Sequence, residues 1–263
     1  MYKNILSKVI GLYLFPFKPD TRLYHYVKDR FFTGSTEHLY RAIRHIKKSG
    51  RETAGSIIID VGGFDGGTSL YFAEQFEHLE IYCIEPNSRM IPQLKKVEAS
   101  EPRIHVRNMA LGERRGEARL HVTSNNVSSS INELNLTEIG KQPPVFQGWL
   151  AEEAAENVRV STLDDEFKDE ESVLLIKLDT QGTELDVLKG GIETLRRTSF
   201  ILTEMNNHEM YKNACQYYEV DAFLRAHSFR LVDIVVTYRS AEGLNEFDAL
   251  YERQPLGAGR RNP

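Results

Sequence analysis

The chain has 263 residues, and 33 lysines and arginines against 38 aspartates and glutamates give it a formal net charge of −5. Apolar residues make up 41% of it, an ordinary proportion for a folded globular protein. The acidic balance argues against a nucleic-acid partner, because nucleic-acid-binding domains are typically basic. The two cysteines, Cys83 and Cys215, exclude a disulfide scaffold and a cysteine-rich zinc module, and they fit a reducing, cytoplasmic compartment.

Residues 1–55 are predicted to form a helical appendage that precedes the main domain. Within it, residues 36–49 repeat their apolar side chains at helical spacing. Residues 4–17 are its most apolar stretch, but Lys8 interrupts them and the run is too short for a transmembrane segment. We expect 4–17 to pack on its own domain or on a second subunit of a homo-oligomer. Peripheral membrane contact is the weaker alternative, because few cations flank the stretch.

Residues 56–254 are predicted to form one domain in which strands and helices alternate. Strands are predicted at 56–61, 80–84, 103–107, 173–178 and 200–204, and helices at 69–76, 88–99, 184–195 and 218–227. The first strand is continuously apolar and β-branched, which is typical of a strand buried on both faces. This alternation predicts βαβ units and a parallel, doubly wound α/β sheet. Two final strands, at 230–236 and 246–251, are joined without a helix and should be antiparallel.

Residues 110–167 interrupt this alternation between the two halves of the domain. A turn at 112–116 joins short strands, and residues 123–149 are polar and end in the chain's single tryptophan, Trp149. A long irregular loop inside a compact domain is usually functional, so 123–149 is predicted to be a lid over the substrate. A mobile insertion without function is the alternative. The tail, 255–263, is predicted to be disordered.

A glycine-rich turn follows the first predicted strand, at the edge where doubly wound sheets bind ligands. It reads DVGGFDGGT from Asp60 to Thr68. Because it contains no lysine, it is not the phosphate-binding loop of nucleoside triphosphatases. It also fails the G-x-G-x-x-G dinucleotide pattern, since Phe64 stands where the second glycine belongs. An NAD(P)-dependent oxidoreductase is therefore only the second choice.

Two acids at the ends of neighbouring predicted strands favour a ligand without phosphate. Asp60 precedes the glycines, and Glu85 ends the second strand. Their separation along the sequence is close to the spacing at which nucleotide-binding folds place an acid that accepts hydrogen bonds from the ribose hydroxyls. S-adenosylmethionine carries a ribose, a sulfonium and an ammonium group but no phosphate. The pair of acids therefore predicts S-adenosylmethionine as the cofactor.

At these residues the sequence resembles the FkbM family of S-adenosylmethionine-dependent O-methyltransferases, over roughly 56–251. The matching blocks are the turn at 60–68, E-P-N at 85–87, A-L-G at 110–112, serines at 128–130, T-L-D at 162–164 and KLDTQGTE at 177–184. The last block continues to Leu188 and Gly190 and is the most specific. Gln181 departs from it, because the family usually has glutamate there.

The resemblance implies a seven-stranded, Rossmann-like methyltransferase sheet whose last strand is antiparallel, in agreement with the pattern of strands and helices. Together with the glycine turn it also implies a set of residues that bind the cofactor. These are Asp60, Gly62, Gly63, Asp65, Gly66, Thr68, Glu85, Pro86, Asn108, Ala110, Ser129 and Asp179.

Methyl transfer to a hydroxyl needs an aligned oxygen and a group that accepts its proton. Asp179 ends the fourth core strand, and we assign it to the methionine end of the cofactor or to the acceptor hydroxyl. Glu204 and His208 follow on the fifth strand, at the other lip of the same cleft, and are the candidate bases. Asp179, Glu204 and Asn206 would offer oxygen ligands to Mg²⁺, but nothing in their spacing requires it, and we predict no metal.

The predicted activity is methylation of a hydroxyl on a sugar, a glycan or a polyketide-like small molecule. A carbohydrate would suit the hydrogen-bonding and stacking side chains of Asn125, Asn126, Ser128, Trp149 and Tyr211. A cofactor-binding module whose catalytic site has decayed is the alternative from outside the enzymes. The intact acids and glycines of the predicted site argue against it.

Overall fold

The computed structural model describes residues 37–141, 147–148, 150–240 and 243–255. The predictions for 4–17, for Trp149 and for the tail from 256 onward therefore fall outside the described residues. The helices are α1 (Glu37–Ser49), α2 (Gly67–Gln75), α3 (Ile91–Ser100), α4 (Leu136–Ile139), α5 (Leu163–Glu166), α6 (Glu184–Lys189), α7 (Ile192–Arg196) and α8 (Tyr217–Ala226), and a 3₁₀ turn spans Ser88–Met90. The strands are β1 (Ile57–Val61), β2 (Glu80–Ile84), β3 (Ile104–Arg107), β4 (Ala110–Leu111), β5 (Gly116–Thr123), β6 (Glu152–Ser161), β7 (Val173–Leu178), β8 (Thr198–Asn206), β9 (Phe229–Ser240) and β10 (Gly243–Arg253).

Seven of these strands form one twisted sheet in the order β3-β2-β1-β7-β8-β10-β9. Strand β10 runs antiparallel to both of its neighbours, whereas the pairs from β3 to β8 are all parallel. The predicted doubly wound sheet with its reversed last strand is therefore confirmed. The direction of winding changes between β1 and β7, and the carboxyl ends of such strands open a crevice for ligands.

The apolar run of β1 is explained by a core on each face of the sheet. Ile57 and Ile59 pack in one cluster with Val187 of α6, while Ile58 points to the opposite face and packs with Phe72 of α2. Successive strand residues alternate between faces, so a strand covered on both sides must be apolar at every position. This placement fixes the carboxyl end of β1, where the glycine turn begins.

Helix α1 lies in the predicted appendage 1–55. Its apolar side chains Leu39, Ile43 and Ile46 are buried in the same cluster as Phe72, and the helix contacts β9 and β10. It therefore completes the core on one face of the sheet. Across the described part of the chain, no helix combines the length and apolar character of a membrane span.

A second sheet, of three strands in the order β4-β6-β5, was not predicted. Strands β4 and β5 flank the predicted turn at 112–116, but β6 lies in a stretch that reads as polar. Its first six residues are exposed or half-buried, so they show little of the apolar pattern by which strands are recognised. The small sheet is antiparallel between β5 and β6 and packs its own apolar cluster around Leu120 and Val122.

The single helix predicted for 184–195 is wrong, because the chain forms two short helices, α6 and α7, with Gly190 and Gly191 between them. A Cβ atom on Gly190 would lie 2.1 Å from the carbonyl oxygen of Gly112, and one on Gly191 would lie 2.6 Å from a methyl group of Leu163. The two glycines therefore allow the backbone to pack closely on the small sheet and on α5, and the helix breaks there.

Candidate active site

A cleft opens at the carboxyl ends of β1, β2 and β7, where the sheet changes its direction of winding. The residues after these strands line one side of it, and residues 126–131 with the start of β4 line the other. Its apolar wall includes Met109, Leu111 and Ile131, and its carboxylates are those of Glu85 and Asp179.

The structure brings half of the predicted cofactor residues to the wall of this cleft. Those that line it are Gly62, Glu85, Pro86, Ala110, Ser129 and Asp179. The other six, Asp60, Gly63, Asp65, Gly66, Thr68 and Asn108, lie behind the wall. Their contacts shape the turns that carry the first group.

Glu85 is held with both carboxylate oxygens against backbone donors. Its Oε2 accepts from the N–H of Phe64 and its Oε1 accepts from the N–H of Asn87, each at 2.8 Å. Burial raises the pKa of Glu85 to about 7, although the two N–H groups oppose the shift. Each oxygen retains a lone pair, so the carboxylate can also accept hydrogen bonds from two neighbouring hydroxyls.

Asp60 does not reach the cleft, although it is the first acid of the motif. It is fully buried, accepts a 2.7 Å hydrogen bond from the hydroxyl of Ser69, and lies 3.6 Å from the Nζ of Lys177. Burial raises the pKa of Asp60, and Lys177 opposes that shift. Asp60 therefore joins β1, α2 and β7 at their common end. Thr68, beside Ser69 on α2, also lines no part of the cleft.

Two positions of the turn must be glycine because neighbouring residues approach the backbone there too closely for a side chain. A Cβ atom on Gly62, whose φ is +80°, would lie 1.9 Å from the carbonyl oxygen of Asp179. A Cβ atom on Gly63 would lie 2.2 Å from the Sγ of Cys83. The turn after β1 is thus pressed against both neighbouring strands, and Gly66 then leads into α2.

Asp65 and Asn108 fix the backbone around the cleft by hydrogen bonds. The carboxylate of Asp65 accepts from the N–H of Gly67 at 2.9 Å, at the start of α2. The Nδ2 of Asn108 donates to the carbonyl oxygens of Glu85 at 2.9 Å and Pro86 at 3.0 Å. Asn108 therefore supports the loop that presents the Glu85 carboxylate.

Asp179 faces the cleft and is held by a buried lysine. The Nζ of Lys177 lies 3.1 Å from its Oδ2 and 3.4 Å from the carbonyl oxygen of Gly62. Burial lowers the pKa of Lys177, but Asp179 and Asp60 outweigh it and raise the pKa above its ordinary value. Burial likewise opposes ionisation of Asp179, but Lys177 and hydrogen bonds from Glu204 and Gln181 lower its pKa to about 2. Asp179 is therefore ionised at neutral pH.

Gln181 links Asp179 to Glu204. Its Nε2 donates to the Oδ1 of Asp179 and to the Oε2 of Glu204, each at 2.9 Å. Its Oε1 lies 2.8 Å from the hydroxyl of Tyr211, which donates to it. The glutamate that the family usually has here could not donate to two carboxylates. In this chain the amide joins them and adds no third negative charge.

Glu204 lies behind Gln181 and is only 7% exposed. Its Oε1 accepts from the Nδ2 of Asn206 at 3.1 Å. Burial raises the pKa of Glu204 well above its ordinary value, and the nearby carboxylates of Glu246 and Asp179 raise it further. In the pair formed with Asp179, Glu204 is therefore the carboxyl whose pKa is raised, and Asp179 is the one whose pKa is lowered.

His208 lies away from these groups. It follows β8 on a half-buried turn and lines no part of the cleft. Within the described ranges, no group of three or more histidine, cysteine, aspartate or glutamate side chains is arranged to hold a metal ion.

The apolar wall of the cleft was missed by sequence reasoning. Met109, Leu111 and Ile131 belong to segments outside the regular alternation, and single apolar residues there carry no periodic signal. The A-L-G block at 110–112 was the one sequence feature that marked this wall.

The donor set of the cleft fits S-adenosylmethionine. Glu85 offers acceptors for ribose hydroxyls, the apolar wall offers a surface for the adenine ring, and the ionised Asp179 faces a site for a cationic group. None of the described residues that line it is a lysine or an arginine, the cations that a pyrophosphate would need. The acidic wall therefore disfavours a dinucleotide.

The chain is similar to known methyltransferases in sequence and in structure. The chain is 29% identical over 166 residues to the 2-O-methyltransferase NoeI of Sinorhizobium fredii (strain NBRC 101917 / NGR234), an alignment that covers 61% of this chain and 68% of the relative. The structure of this chain aligns with that of magnesium protoporphyrin IX methyltransferase (ChlM) from Synechocystis PCC 6803 with bound SAM. The TM-score is 0.45 at 8% sequence identity, and the alignment covers 83% of this chain and 79% of the other. It also aligns with a SAM-dependent methyltransferase of Aquifex aeolicus, at a TM-score of 0.42 and 14% identity, over 86% and 96%.

The family profile described as the methyltransferase FkbM domain matches residues 60–231. That match runs from Asp60, at the glycine turn, through the block around Asp179 and into β9. It covers all the residues that line the cleft, including Glu85 and Asp179. The chain therefore belongs to the FkbM methyltransferase family.

Proposed function

We propose that this S-adenosylmethionine-dependent O-methyltransferase acts on a hydroxyl of a sugar or glycan, with polyketide-like small molecules as the second class of acceptor. The observation that carries the proposal is the convergence of Glu85 and Asp179 on one cleft from two different strand ends. The similarity to a 2-O-methyltransferase supports an oxygen as the atom that is methylated.

The cofactor, when bound, supplies a methyl group that its sulfonium already activates. In this proposal Glu85 accepts the ribose hydroxyls, and the wall of Met109, Leu111 and Ile131 contacts the adenine ring. Asp179 faces the cationic methionine end. The turn at Gly62 brings the backbone close enough to Asp179 for both to border the same part of the cleft.

Asp179 is also our candidate for the group that accepts the proton of the acceptor hydroxyl. An alcohol oxygen becomes strongly acidic as it bonds to the methyl carbon, so a weakly basic carboxylate can take its proton, provided that it is ionised and correctly placed. Lys177 keeps Asp179 ionised, and Gln181 fixes its orientation. We assign Glu204 a positioning role, because it lies behind Gln181, lines no part of the cleft, and has a pKa that burial raises well above its ordinary value.

We further propose that 56–254 acts as the catalytic domain, to which 1–55 is appended, and that 123–149 covers the acceptor as a lid. The described part of this lid supports the idea at three points. Ser129 and Ser130 line the cleft, Ser130 donates to the carbonyl oxygen of Gln181 at 2.8 Å, and the hydroxyl of Tyr211 lies 2.9 Å from the carbonyl oxygen of Ser128.

The test combines cofactor binding with methyl transfer. Calorimetry with S-adenosylhomocysteine measures binding, and tritium transfer from labelled S-adenosylmethionine to methyl pyranosides and hydroxylated macrolactones measures activity. We expect transfer to a pyranoside hydroxyl. Asp179→Asn should lower kcat by about 10²- to 10⁴-fold, the range for loss of a positioned proton acceptor. Asp186→Asn, at an exposed position of α6, is the matched control.

The outcomes separate the parts of the proposal. Absence of S-adenosylhomocysteine binding would refute the assignment of the cleft. Binding with transfer only to macrolactones would replace the sugar by the second class of acceptor. An Asp179→Asn enzyme with normal kcat would remove the proton-acceptor role, and Glu204→Gln and His208→Gln, measured in parallel, would show whether either candidate performs it.

A further inference from the structure

A second cavity lies next to the cofactor cleft, with Gln181 between them. Its volume is about 320 Å³, and the side chains around it come from the ends of β8, β9 and β10 and from the loops that follow β5 and β8. Gln181 lines both spaces. Residues 127–129 also separate them, since Val127 and Ser129 line the cleft while Ser128 lines the cavity. The cavity and the cleft therefore share a wall that is one residue thick.

The lining of this cavity is divided between polar and apolar side chains. Asn206, Asn245 and Glu246 offer hydrogen-bonding groups, and Met210 and Leu134 offer apolar surface. A sugar ring presents the same division, because its hydroxyls lie at the edge and its C–H groups form the faces. Pockets of this kind bind small molecules by apolar contact and use a few polar groups for orientation.

Glu246 is directed to this cavity by an irregularity in the sheet. It pairs with Asn206 of β8, but the register between β9 and β10 shifts on both sides of Glu246. Such irregularities re-aim side chains and occur often beside active sites. The hydroxyl of Thr237 donates to the Oε1 of Glu246 at 2.7 Å.

The surroundings of Glu246 are electrostatically unfavourable for a carboxylate. Burial raises the pKa of Glu246, and the carboxylates of Asp179 and Glu184 raise it further, while the hydrogen bond from Thr237 lowers it. Glu204, across the sheet, and Asp248, on the same strand, are also acids whose pKa values lie well above the ordinary range, in part because of Glu246. A glutamine would fill the same space without this repulsion.

We infer that this cavity is the acceptor site and that Glu246 binds two neighbouring hydroxyls of a sugar ring there. The inference rests on the proposed function, since a ring bound in this cavity would lie next to the cleft in which the methyl group of the cofactor is proposed to bind. Glu246 acts in binding and orientation, and the proton of the reacting hydroxyl goes to Asp179. A carboxylate accepts hydrogen bonds from two adjacent hydroxyls, which an amide cannot do equally well because it has one acceptor oxygen.

The probe is a set of methyl pyranosides whose saturation-transfer NMR signals are recorded on the full chain saturated with S-adenosylhomocysteine. We expect signals with the wild type and a loss of affinity of about tenfold or more in Glu246→Gln, as for a lost hydrogen bond to a charged group. Met210→Trp, which fills the cavity, should abolish the signals. Glu117→Gln, at an exposed position of β5, is the matched control and should retain them.

Stability and cofactor binding are measured on the same variants. Glu246→Gln should unfold at the same temperature as the wild type or higher, and its affinity for S-adenosylhomocysteine should not change. A wild type that binds the cofactor product but gives no pyranoside signal overturns the inference, as do signals unaffected by Glu246→Gln and Met210→Trp. Failure to bind S-adenosylhomocysteine would instead refute the proposed function.

Discussion

Glu85 shows how burial can make a binding residue sensitive to pH near neutrality. The pKa of its carboxyl is raised to about 7, chiefly by burial, so a substantial fraction of the free protein holds this group protonated at neutral pH. A protonated carboxyl loses part of its capacity to accept hydrogen bonds. If Glu85 accepts the ribose hydroxyls as proposed, cofactor binding is coupled to the release of one proton.

We expect the affinity for S-adenosylhomocysteine to rise by about tenfold between about pH 6 and pH 8, as linkage to one group with this pKa requires. The stability of the ligand-free protein should change in the opposite direction, falling as the pH rises. A folded-state pKa above the unfolded value stabilises the fold at low pH, and this stabilisation is lost as the pH rises through about 7. Calorimetry across this range measures the first effect. Glu85→Gln should flatten the pH dependence, whereas Glu77→Gln, an exposed control, should preserve it.

Gln181 is the second residue whose individual contacts shape the site. One side chain donates to Asp179 and Glu204, accepts from Tyr211, and lines both the cleft and the neighbouring cavity. Its backbone φ of +58° lies in the left-handed region, which few residues other than glycine and asparagine adopt readily. A strained backbone that places a fully hydrogen-bonded side chain between two cavities is typical of functional sites.

At the scale of elements, the break between α6 and α7 couples the main sheet to the small one. Gly190 packs on the turn after β4, and β4 carries Ala110 and Leu111 in the wall of the cleft. The close approach of the chain at Gly190 therefore helps to bring the small sheet against the cleft.

Gly190→Ala should destabilise the fold by about 1–3 kcal/mol, because the added methyl group cannot fit beside the carbonyl oxygen of Gly112 without a backbone shift. Urea unfolding measures the change. Gly116→Ala is the matched control, since its Cβ would meet nothing within 4 Å. Equal stability of the two variants would show that the contact at Gly190 relaxes freely.

The segment 126–131 is the second element that depends on its neighbours. It is irregular, and it is attached through the pairing of Ser130 with His121 and through the hydroxyl of Tyr211, which lies 2.9 Å from the carbonyl oxygen of Ser128. Segments with few backbone hydrogen bonds open easily in the free protein.

We expect amide exchange in 126–131 to slow when S-adenosylhomocysteine binds, because the segment forms one wall of the cleft. Hydrogen-exchange mass spectrometry of the free and ligated protein measures this, with peptides from α8 as the internal control. Equal exchange in the two states would show that this wall does not respond to the cofactor.

At the scale of the whole molecule, the sheet order brings three strand ends to one edge. Asp60, Glu85 and Asp179 are distant in the chain but end β1, β2 and β7, which are neighbours in the sheet. The carboxylates of Glu85 and Asp179 line the cleft at this edge, held by backbone N–H groups and by Lys177, while Asp60 lies behind them.

Methyl transfer should therefore persist in excess EDTA. The reason is that a carboxylate accepts the proton of the acceptor hydroxyl, which becomes acidic as its oxygen bonds to the methyl carbon. No step in the proposed reaction needs a Lewis acid. The dependence on a metal is measured by tritium transfer without EDTA, with EDTA, and after Mg²⁺ is added back. Loss of transfer in EDTA that Mg²⁺ restores would show that a hard cation takes part.

Much of the fold and the first residues of the site could be predicted because they depend on local pattern. The apolar runs of β1 and β7 reveal strands covered on both faces, and the acids and glycines that follow them mark the ligand edge. The absence of helix between β9 and β10 reveals the reversed strand. These features are properties of short segments, so the sequence by itself determines them.

Only the tertiary structure decided which of the marked residues line the cleft and which lie behind its wall. Asp60 and Glu85 have equivalent places in the sequence pattern, yet Asp60 is enclosed with Ser69 and Lys177 while Glu85 faces the cleft. The bridging role of Gln181 and the cavity beside Glu246 also depend on β8, β9 and β10. The physical reason is that burial, side-chain direction and charge are set by neighbours that are remote in the chain, and no local pattern encodes them.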